Sequence, residues 1–243
     1  KTRSLLAPRC RENWLNIDAP VPRYLIEKFI YPFLYRALVR TGILSMHYEN
    51  GDEYTVQEGR IRAVQILKGY FQSTQRQAPD LRKRLYLKES LRRRAGKVFE
   101  NIPAGKAPVF VHLRRSDKGW ETFEGRAVQI PDHYYLAAID RLRRRDPDLF
   151  FFFLGDDPDH ADSLFRDVRP RYVSRLSVEE DLALMSLCDG GVLSNSTFSW
   201  WGAFFSSSRI GYIAPKYWAG WNVKRWVPLE LRGSFVAEYL DIE

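Results

Sequence analysis

Short apolar segments alternate regularly with helical segments after residue 106. The predicted order is a strand at 109–113, a helix at 132–145, a strand at 149–154, a helix at 178–187, a strand at 191–193, a helix from residue 197 and a strand at 210–214. Strands that alternate with helices at this spacing are typical of a parallel sheet with right-handed crossover connections. We therefore predict an α/β fold with a Rossmann-like domain in the C-terminal part of the chain.

Residues 103–106, Pro-Ala-Gly-Lys, separate this regular part from a less regular one, and their composition is typical of a linker. We predict two domains, residues 1–103 and residues 104–243, of which the first is the smaller. Because ligands bind beyond the carboxyl ends of the strands in Rossmann-like sheets, we expect the second domain to hold a ligand there.

The first part contains two interpretable segments. Residues 61–71 are apolar and β-branched enough for a strand. Pro79-Asp80 opens a predicted helix that carries Leu81, Leu85 and Val98 on one side.

Positive charge is concentrated in the first part of the chain. Residues 1–100 contain 20 Lys and Arg against 10 Asp and Glu, whereas the remaining residues contain 18 against 20. This asymmetry favours an anionic partner, such as a phospholipid surface. The alternative is a solvated helix face that pairs with acids elsewhere. The basic residues in question are Arg82, Lys83, Arg84, Arg92, Arg93 and Arg94. They lack an accompanying aromatic stacking platform, so we expect no nucleic-acid partner.

Two adjacent arginines follow the strand at 109–113. The period of a strand places His112 and Arg114 on one face and Arg115 on the other. Two guanidinium groups at a strand end suit a diphosphate, because each offers a planar fork of donors and stays charged. A structural salt-bridge cluster with Asp117 is the alternative.

An acidic turn, Gly-Asp-Asp-Pro-Asp at 155–159, follows the strand at 149–154. Carboxylates at this place in Rossmann folds accept hydrogen bonds from ribose hydroxyls, and they suit the N–H groups of guanine. Asp157 and Asp159 also form a D-x-D pattern that suits Mn²⁺ or Mg²⁺. A third interpretation is an Asp that caps the following helix. These residues alone leave the three open.

Residues 194–203, SNSTFSWWGA, lie between a strand and a helix. Small hydroxyl residues at a helix start leave backbone N–H groups available to an anion, and the helix dipole adds to the attraction. We interpret the paired tryptophans as core residues.

At this point the sequence resembles a known family. The stretches HLRRSDK (112–118), FLGDDPD (153–159) and DLALMSLCDGGVLSNSTFSWWGAFF (181–205) look like the α-1,2-fucosyltransferases, which are glycosyltransferases of the family 11 type. GYFQS (69–73) and APKYW (214–218) match in the same order. The resemblance spans residues 61–218.

The resemblance implies a GT-B-like fold and a metal-free, inverting transfer of L-fucose from GDP-β-L-fucose to a galactoside hydroxyl, which forms an α-1,2 linkage. It implies no cofactor, GDP-fucose as donor and a galactose-containing glycan, lipid-linked or free, as acceptor. Residues 1–103 are then the acceptor side. The implied catalytic residues are Arg114, Arg115, Asp117 and Glu121. The implied donor-binding residues are His112, Arg114, Arg115, Asp156, Asp157, Asn195, Ser196, Thr197, Phe198 and Ser199.

The Gly-rich GGxGNQ segment that opens typical family members is missing from this sequence. Either the numbered chain begins after it, or this is a shortened relative. We expect a cytoplasmic protein, peripheral at the inner membrane face if bacterial, or a protein of the Golgi lumen if an N-terminal anchor precedes Lys1. Two other functions stay open: a non-catalytic domain that binds GDP-sugar or another anion, and a D-x-D metal-dependent glycosyltransferase.

Overall fold

The computed structural model describes residues 6–8, 44–48, 64–68, 85–115, 121–206, 209–227 and 237–242. Within these ranges the strands are, in chain order, β1 (Leu6–Pro8), β2 (Leu44–Tyr48), β3 (Val64–Lys68), β4 (Leu85–Leu87), β5 (Ala107–Leu113), β6 (Thr122–Phe123), β7 (Arg126–Ala127), β8 (Leu149–Gly155), β9 (Arg171–Val173), β10 (Gly190–Val192), β11 (Gly211–Pro215) and β12 (Ala237–Leu240). The α-helices are α1 (Glu89–Gly96), α2 (Asp132–Arg145), α3 (Pro158–Leu164), α4 (Val178–Leu187) and α5 (Thr197–Phe205). Short 3₁₀ helices lie at Lys97–Asn101 and Trp221–Val223.

The chain divides into two compact units. One contains residues 1–9 and 72–243, and the other contains residues 10–71. Within the second unit, β2 and β3 pair in parallel, and β3 lies inside the strand predicted at 61–71. The predicted domain boundary at residue 103 stays a prediction.

A six-stranded sheet forms the centre of the first unit in the described residues. Its strand order is β12-β11-β10-β5-β8-β9, and every neighbouring pair is parallel. The predicted α/β fold with a Rossmann-like C-terminal domain is therefore confirmed. Because all strands point the same way, the ends of β5, β8 and β10 meet at one edge, which we call the carboxyl edge.

Both faces of the sheet are covered by helices. Along β8, Phe150, Phe152 and Leu154 face the core shared with α1, α4 and α5, while Phe151 and Phe153 face the core shared with α2 and α3. A strand buried on both faces reads as a continuous apolar run, as LFFFFL does. The described part of the first unit is therefore layered as helix, sheet and helix.

The ends of the helices follow local sequence signals. Helices α2 and α4 have the predicted bounds. At the start of α4 the Ser177 hydroxyl accepts a hydrogen bond from the Glu180 N–H, and the Glu180 carboxylate accepts one from the Ser177 N–H. This reciprocal pair is a capping box, which satisfies N–H groups that the first helical turn leaves without partners.

The prediction of a helix that opens at Pro79-Asp80 is wrong for Leu85, which lies in a strand. Residues 79–84 of that predicted helix lie outside the described residues. Leu85 belongs to β4, which pairs antiparallel with β1, and α1 begins only at Glu89. Val98 follows in a 3₁₀ helix. A strand partner almost eighty residues away overrides the local helical pattern, because β-propensity and helix propensity are both weak beside tertiary pairing.

No helix among the described residues is both long and apolar enough to cross a lipid bilayer.

Candidate functional site

Three of the predicted motifs meet at the carboxyl edge. Arg114 and Arg115 follow β5, Asp156 follows β8, and Ser194 and Asn195 follow β10. Since β5 lies between β8 and β10, the arginines stand between the acidic turn and the start of α5.

Asp156 holds the turn that carries both arginines. Its Oδ1 accepts a hydrogen bond of 2.9 Å from the Arg115 backbone N–H. Its Oδ2 lies 3.4 Å from Nη1 of Arg114, whose side chain is 36% exposed. The acidic turn and the arginine motif are therefore one structural unit.

Arg115 has a partner that the sequence did not indicate. Its guanidinium donates a hydrogen bond of 2.6 Å to the carboxylate of Asp132, the first residue of α2. The expected partner, Asp117, lies outside the described residues, as does Lys118.

His112 is buried at the base of this edge. Its Nδ1 and the Ser194 hydroxyl share a hydrogen bond of 2.9 Å, and its ring centre lies 5.4 Å from that of Phe198. Burial lowers the pKa of His112 to about 4; the charge of Asp156 opposes this and that of Arg114 adds to it. His112 is therefore neutral at pH 7. Through its contacts with Ser194 and Phe198, the neutral ring links the end of β5 to the start of α5.

The first turn of α5 retains N–H groups for a ligand. Ser196 caps the helix, since its hydroxyl accepts a hydrogen bond of 3.3 Å from the Phe198 N–H. Within the described part of the chain, the N–H groups of Thr197 and Ser199 have no hydrogen-bond partner. Such groups attract an anion, and the positive end of the helix dipole adds to the attraction.

The side chains of Ser199 and Asn195 donate hydrogen bonds to backbone carbonyl groups of the protein. The Ser199 hydroxyl lies 2.9 Å from the carbonyl of Ser196, to which it donates. The Asn195 amide donates to the carbonyl of Val128 at 2.7 Å, and its Oδ1 is buried without a partner among the described residues. Ser199 is 0% exposed and Asn195 is 3% exposed, so little of either side chain is open to a ligand.

The carboxylates of the D-x-D pattern have separate partners. Asp157 caps α3, since its Oδ1 accepts a hydrogen bond of 3.0 Å from the His160 N–H. Asp159 accepts one of 2.5 Å from Arg175. The capping interpretation is confirmed for Asp157. Across the described residues, no group of three or more His, Cys, Asp or Glu side chains could hold a metal ion.

Glu121 begins the segment that leads into the hairpin of β6 and β7. Its side chain is exposed, and its carbonyl accepts a hydrogen bond of 3.2 Å from the Val128 N–H. Its role as a base stays a prediction.

A buried carboxyl group at the same edge escaped the sequence analysis. Ser174 follows β9, and its hydroxyl donates a hydrogen bond of 2.5 Å to Asp181 in α4. Asp181 is only 8% exposed. The sequence did contain a sign of this group, because Asp181 opens the apolar run DLALMSL. An acidic residue on a buried helix face is rare unless it has a partner.

The pH dependence of stability should show the burial of Asp181. Desolvation raises the pKa of Asp181 from 3.8 to about 6, although the Ser174 hydroxyl opposes the shift. A carboxyl group whose pKa is higher in the folded state stabilises the fold below the unfolded pKa, and this contribution is lost as the pH rises toward 6. Between pH 4 and pH 7 the free energy of unfolding of Asp181→Asn should therefore rise relative to wild type, by about 2 kcal/mol.

Urea titrations of wild type and variant at several pH values measure this difference. Asp140→Asn, at an exposed position of α2, is the control and should give a difference that does not change with pH. A pH-independent difference for Asp181→Asn as well would contradict the prediction.

Comparison with known proteins identifies a family whose model matches this chain. The family model described as "Glycosyl transferase family 11" matches residues 45–225, which is more than half of the chain. An alpha-1,2-colitosyltransferase of Escherichia coli is 26% identical over 228 residues, which cover 84% of this chain and 74% of that protein. The O-antigen biosynthesis glycosyltransferase WbnK of Escherichia coli is 29% identical over 123 residues, which cover 47% of this chain and 40% of that protein.

Two solved structures show partial similarity. POFUT1 in complex with GDP-fucose aligns with a TM-score of 0.44 at 16% identity, over 56% of this chain and 48% of that one. NodZ alpha-1,6-fucosyltransferase co-crystallized with GDP aligns with a TM-score of 0.44 at 14% identity, over 61% and 54%. This chain therefore spans less than two thirds of each of these structures.

Proposed function

This chain belongs to glycosyl transferase family 11, and from that premise we propose that it transfers L-fucose from GDP-β-L-fucose to a galactoside hydroxyl. The transfer inverts the anomeric centre, forms an α-1,2 linkage and needs no metal or other cofactor. The acceptor is a galactose-containing glycan.

The observation that carries the proposal is the position of Arg114. It follows β5, beside the start of α5, where the Thr197 and Ser199 N–H groups have no partner in the described part of the chain. A guanidinium group and free N–H groups at one sheet edge suit the diphosphate of a nucleotide sugar.

The same groups suit the chemistry of transfer. When GDP leaves the anomeric carbon, negative charge builds on the β-phosphate. A donor fixed at that point binds the transition state more strongly than the ground state, and this difference is what lowers the barrier. Arg114 supplies the donor, and the start of α5 supplies N–H groups and its dipole.

The attacking hydroxyl needs a proton acceptor within hydrogen-bond reach. Asp117 and Glu121 are the proposed bases. His112 is the weaker candidate, because a group with a pKa of about 4 that is neutral at pH 7 holds a proton poorly. The other proposed donor contacts are Asp156 and Ser196, with Asp157 acting through the turn that it caps.

A colitosyl donor is the second candidate. It is favoured by the relative named alpha-1,2-colitosyltransferase, of which the match covers 74%.

Transfer assays test the proposal. The full-length protein is incubated with GDP-fucose or GDP-colitose and a panel of galactosides, with and without EDTA, and the product linkage is determined. We expect an α-1,2-linked product from GDP-fucose in EDTA. Activity that EDTA abolishes and Mn²⁺ restores would support the D-x-D alternative. Tight GDP binding without turnover on any acceptor would support the non-catalytic one.

The exposed arginines of α1 carry a separate proposal, reversible contact with an anionic lipid surface. Arg82, Lys83 and Arg84 lie outside the described residues. Arg94 donates to Glu180 at 2.8 Å, whereas Arg92 and Arg93 are exposed and have no partner in the described part of the chain. Near an anionic leaflet each basic residue contributes about 1 kcal/mol.

Co-sedimentation with phosphatidylglycerol vesicles at low and high salt tests this contact. We expect binding at low salt, release at high salt because the attraction is screened, and loss of binding in Arg92→Glu/Arg93→Glu. Arg144→Glu, an exposed change on α2, is the matched control. An absence of binding at low salt would leave only a solvated helix face.

A further inference from the structure

The two adjacent arginines have very different surroundings. Arg115 is fixed at both ends: its backbone N–H donates to Asp156 at 2.9 Å, and its guanidinium donates to Asp132 at 2.6 Å. The second distance is that of a short, charge-assisted hydrogen bond. Arg115 therefore ties the end of β5 both to the turn after β8 and to the start of α2.

Asp132 is itself held by a third element. Nε2 of His160, in α3, lies 3.1 Å from its carboxylate. The backbone N–H of the same His160 donates to Asp157, which caps α3. The contacts of Arg115, Asp132 and His160 thus join the ends of two neighbouring strands to the starts of the two helices that follow them. We call these three residues the clasp.

Arg114 lies farther from its carboxylate neighbour. Its guanidinium lies 3.4 Å from Asp156, and more than a third of the side chain is exposed. The attraction between two opposite charges weakens as the distance between them grows, so this pair is weaker than the 2.6 Å pair of Arg115 and Asp132. Moving the guanidinium of Arg115 onto a diphosphate would break the 2.6 Å bond to Asp132, whereas the contact of Arg114 with Asp156 is 0.8 Å longer.

We propose that Asp132 and His160 are positioning residues which keep Arg115 out of the ligand site, so that Arg114 alone of the pair engages the diphosphate of the donor. The proposal rests on the function proposed above. The clasp fixes the backbone from which Arg114 projects, and a displacement of about 1 Å at such a group costs up to about 100-fold in rate.

Calorimetric GDP titration and transfer kinetics on Asp132→Ala, Arg115→Ala and the double variant test the clasp. We expect each single change to weaken GDP binding about 10-fold and to raise the KM for the donor. The double variant should bind GDP as tightly as whichever single variant binds it less tightly, because the effects of changes within one contact network are not additive. Asp140→Ala, an exposed acidic position on the same helix, should match wild type.

A second pair of variants separates positioning from general stability. Glutamine keeps an N–H donor near the place of the imidazole Nε2, so His160→Gln should retain most of the GDP affinity that His160→Ala loses. His133→Ala, at an exposed position, is the control for loss of a surface histidine. Melting temperatures of all variants are measured in parallel, and a loss of affinity that follows the melting temperature across the whole set would contradict positioning.

Two results would overturn the proposal in different ways. If wild type binds GDP and Arg115→Ala loses as much affinity as Arg114→Ala while Asp132→Ala loses none, Arg115 contacts the diphosphate directly and only the clasp is wrong. If wild type binds no GDP, the proposed function fails and the clasp has no donor to serve.

Discussion

Arg114→Ala is expected to lower the rate of transfer by 10²- to 10³-fold. Removing one preorganised donor from a site of developing charge typically costs about 3–4 kcal/mol of transition-state stabilisation. Arg115 cannot replace it, because its guanidinium is bound to Asp132 at 2.6 Å. The loss should appear mainly in kcat, since the charge on the β-phosphate is larger in the transition state than in the bound donor.

Arg114→Lys should recover little of this rate. An ammonium group is a compact point charge and does not offer the planar fork that binds two phosphate oxygens. Arg144→Ala, at an exposed position of α2, controls for the loss of one positive charge and should keep the wild-type rate. Retention of more than half of the wild-type rate by Arg114→Ala or Arg114→Lys would exclude the assignment.

The fold was predictable where the signal is local. Continuous apolar runs predicted strands near β5 and β8, and the capping box at Ser177 placed the start of α4 at the right residue. The strand β4 was not predictable in this way. Its three residues, LYL, acquire a strand conformation only by pairing with β1 near the start of the chain, and no local pattern encodes a partner at that distance.

The site was predictable in its location but less so in its connections. The ends of parallel strands meet at one edge, so the positions of Arg114, Asp156 and Ser196 followed from the strand order alone. The partner of Arg115 did not, since Asp132 enters the site only because α2 begins there after a connection of sixteen intervening residues. Ion pairs between separate loops depend on loop conformation, which the periodicity of strands and helices does not determine.

The three interpretations of the acidic turn illustrate the same limit. Asp156 and Asp157 are adjacent in the sequence, yet Asp156 binds the arginine turn and Asp157 caps α3. Their roles are separated by the backbone direction immediately after β8. That direction is set by Gly155, whose φ of +154° favours glycine.

Gly155→Ala is expected to lower the free energy of unfolding by about 3 kcal/mol and to weaken donor binding as well. Gly155 pairs with Leu113 across β8 and β5, and a Cβ at this position would lie 2.1 Å from the Leu113 carbonyl oxygen. Backbone strain of this kind costs about 1–3 kcal/mol, and here the neighbouring strand must also move. Since Leu113 precedes Arg114 and Gly155 precedes Asp156, the displacement separates the groups that hold the arginine turn. Urea unfolding and GDP titration measure the two losses.

Gly96→Ala, at a helical position where a Cβ would meet nothing within 4 Å, is the matched control and should be neutral or slightly stabilising. Wild-type stability in Gly155→Ala would mean that the strands do not approach this closely, and wild-type GDP affinity in a destabilised variant would mean that the turn after β8 does not position the donor site.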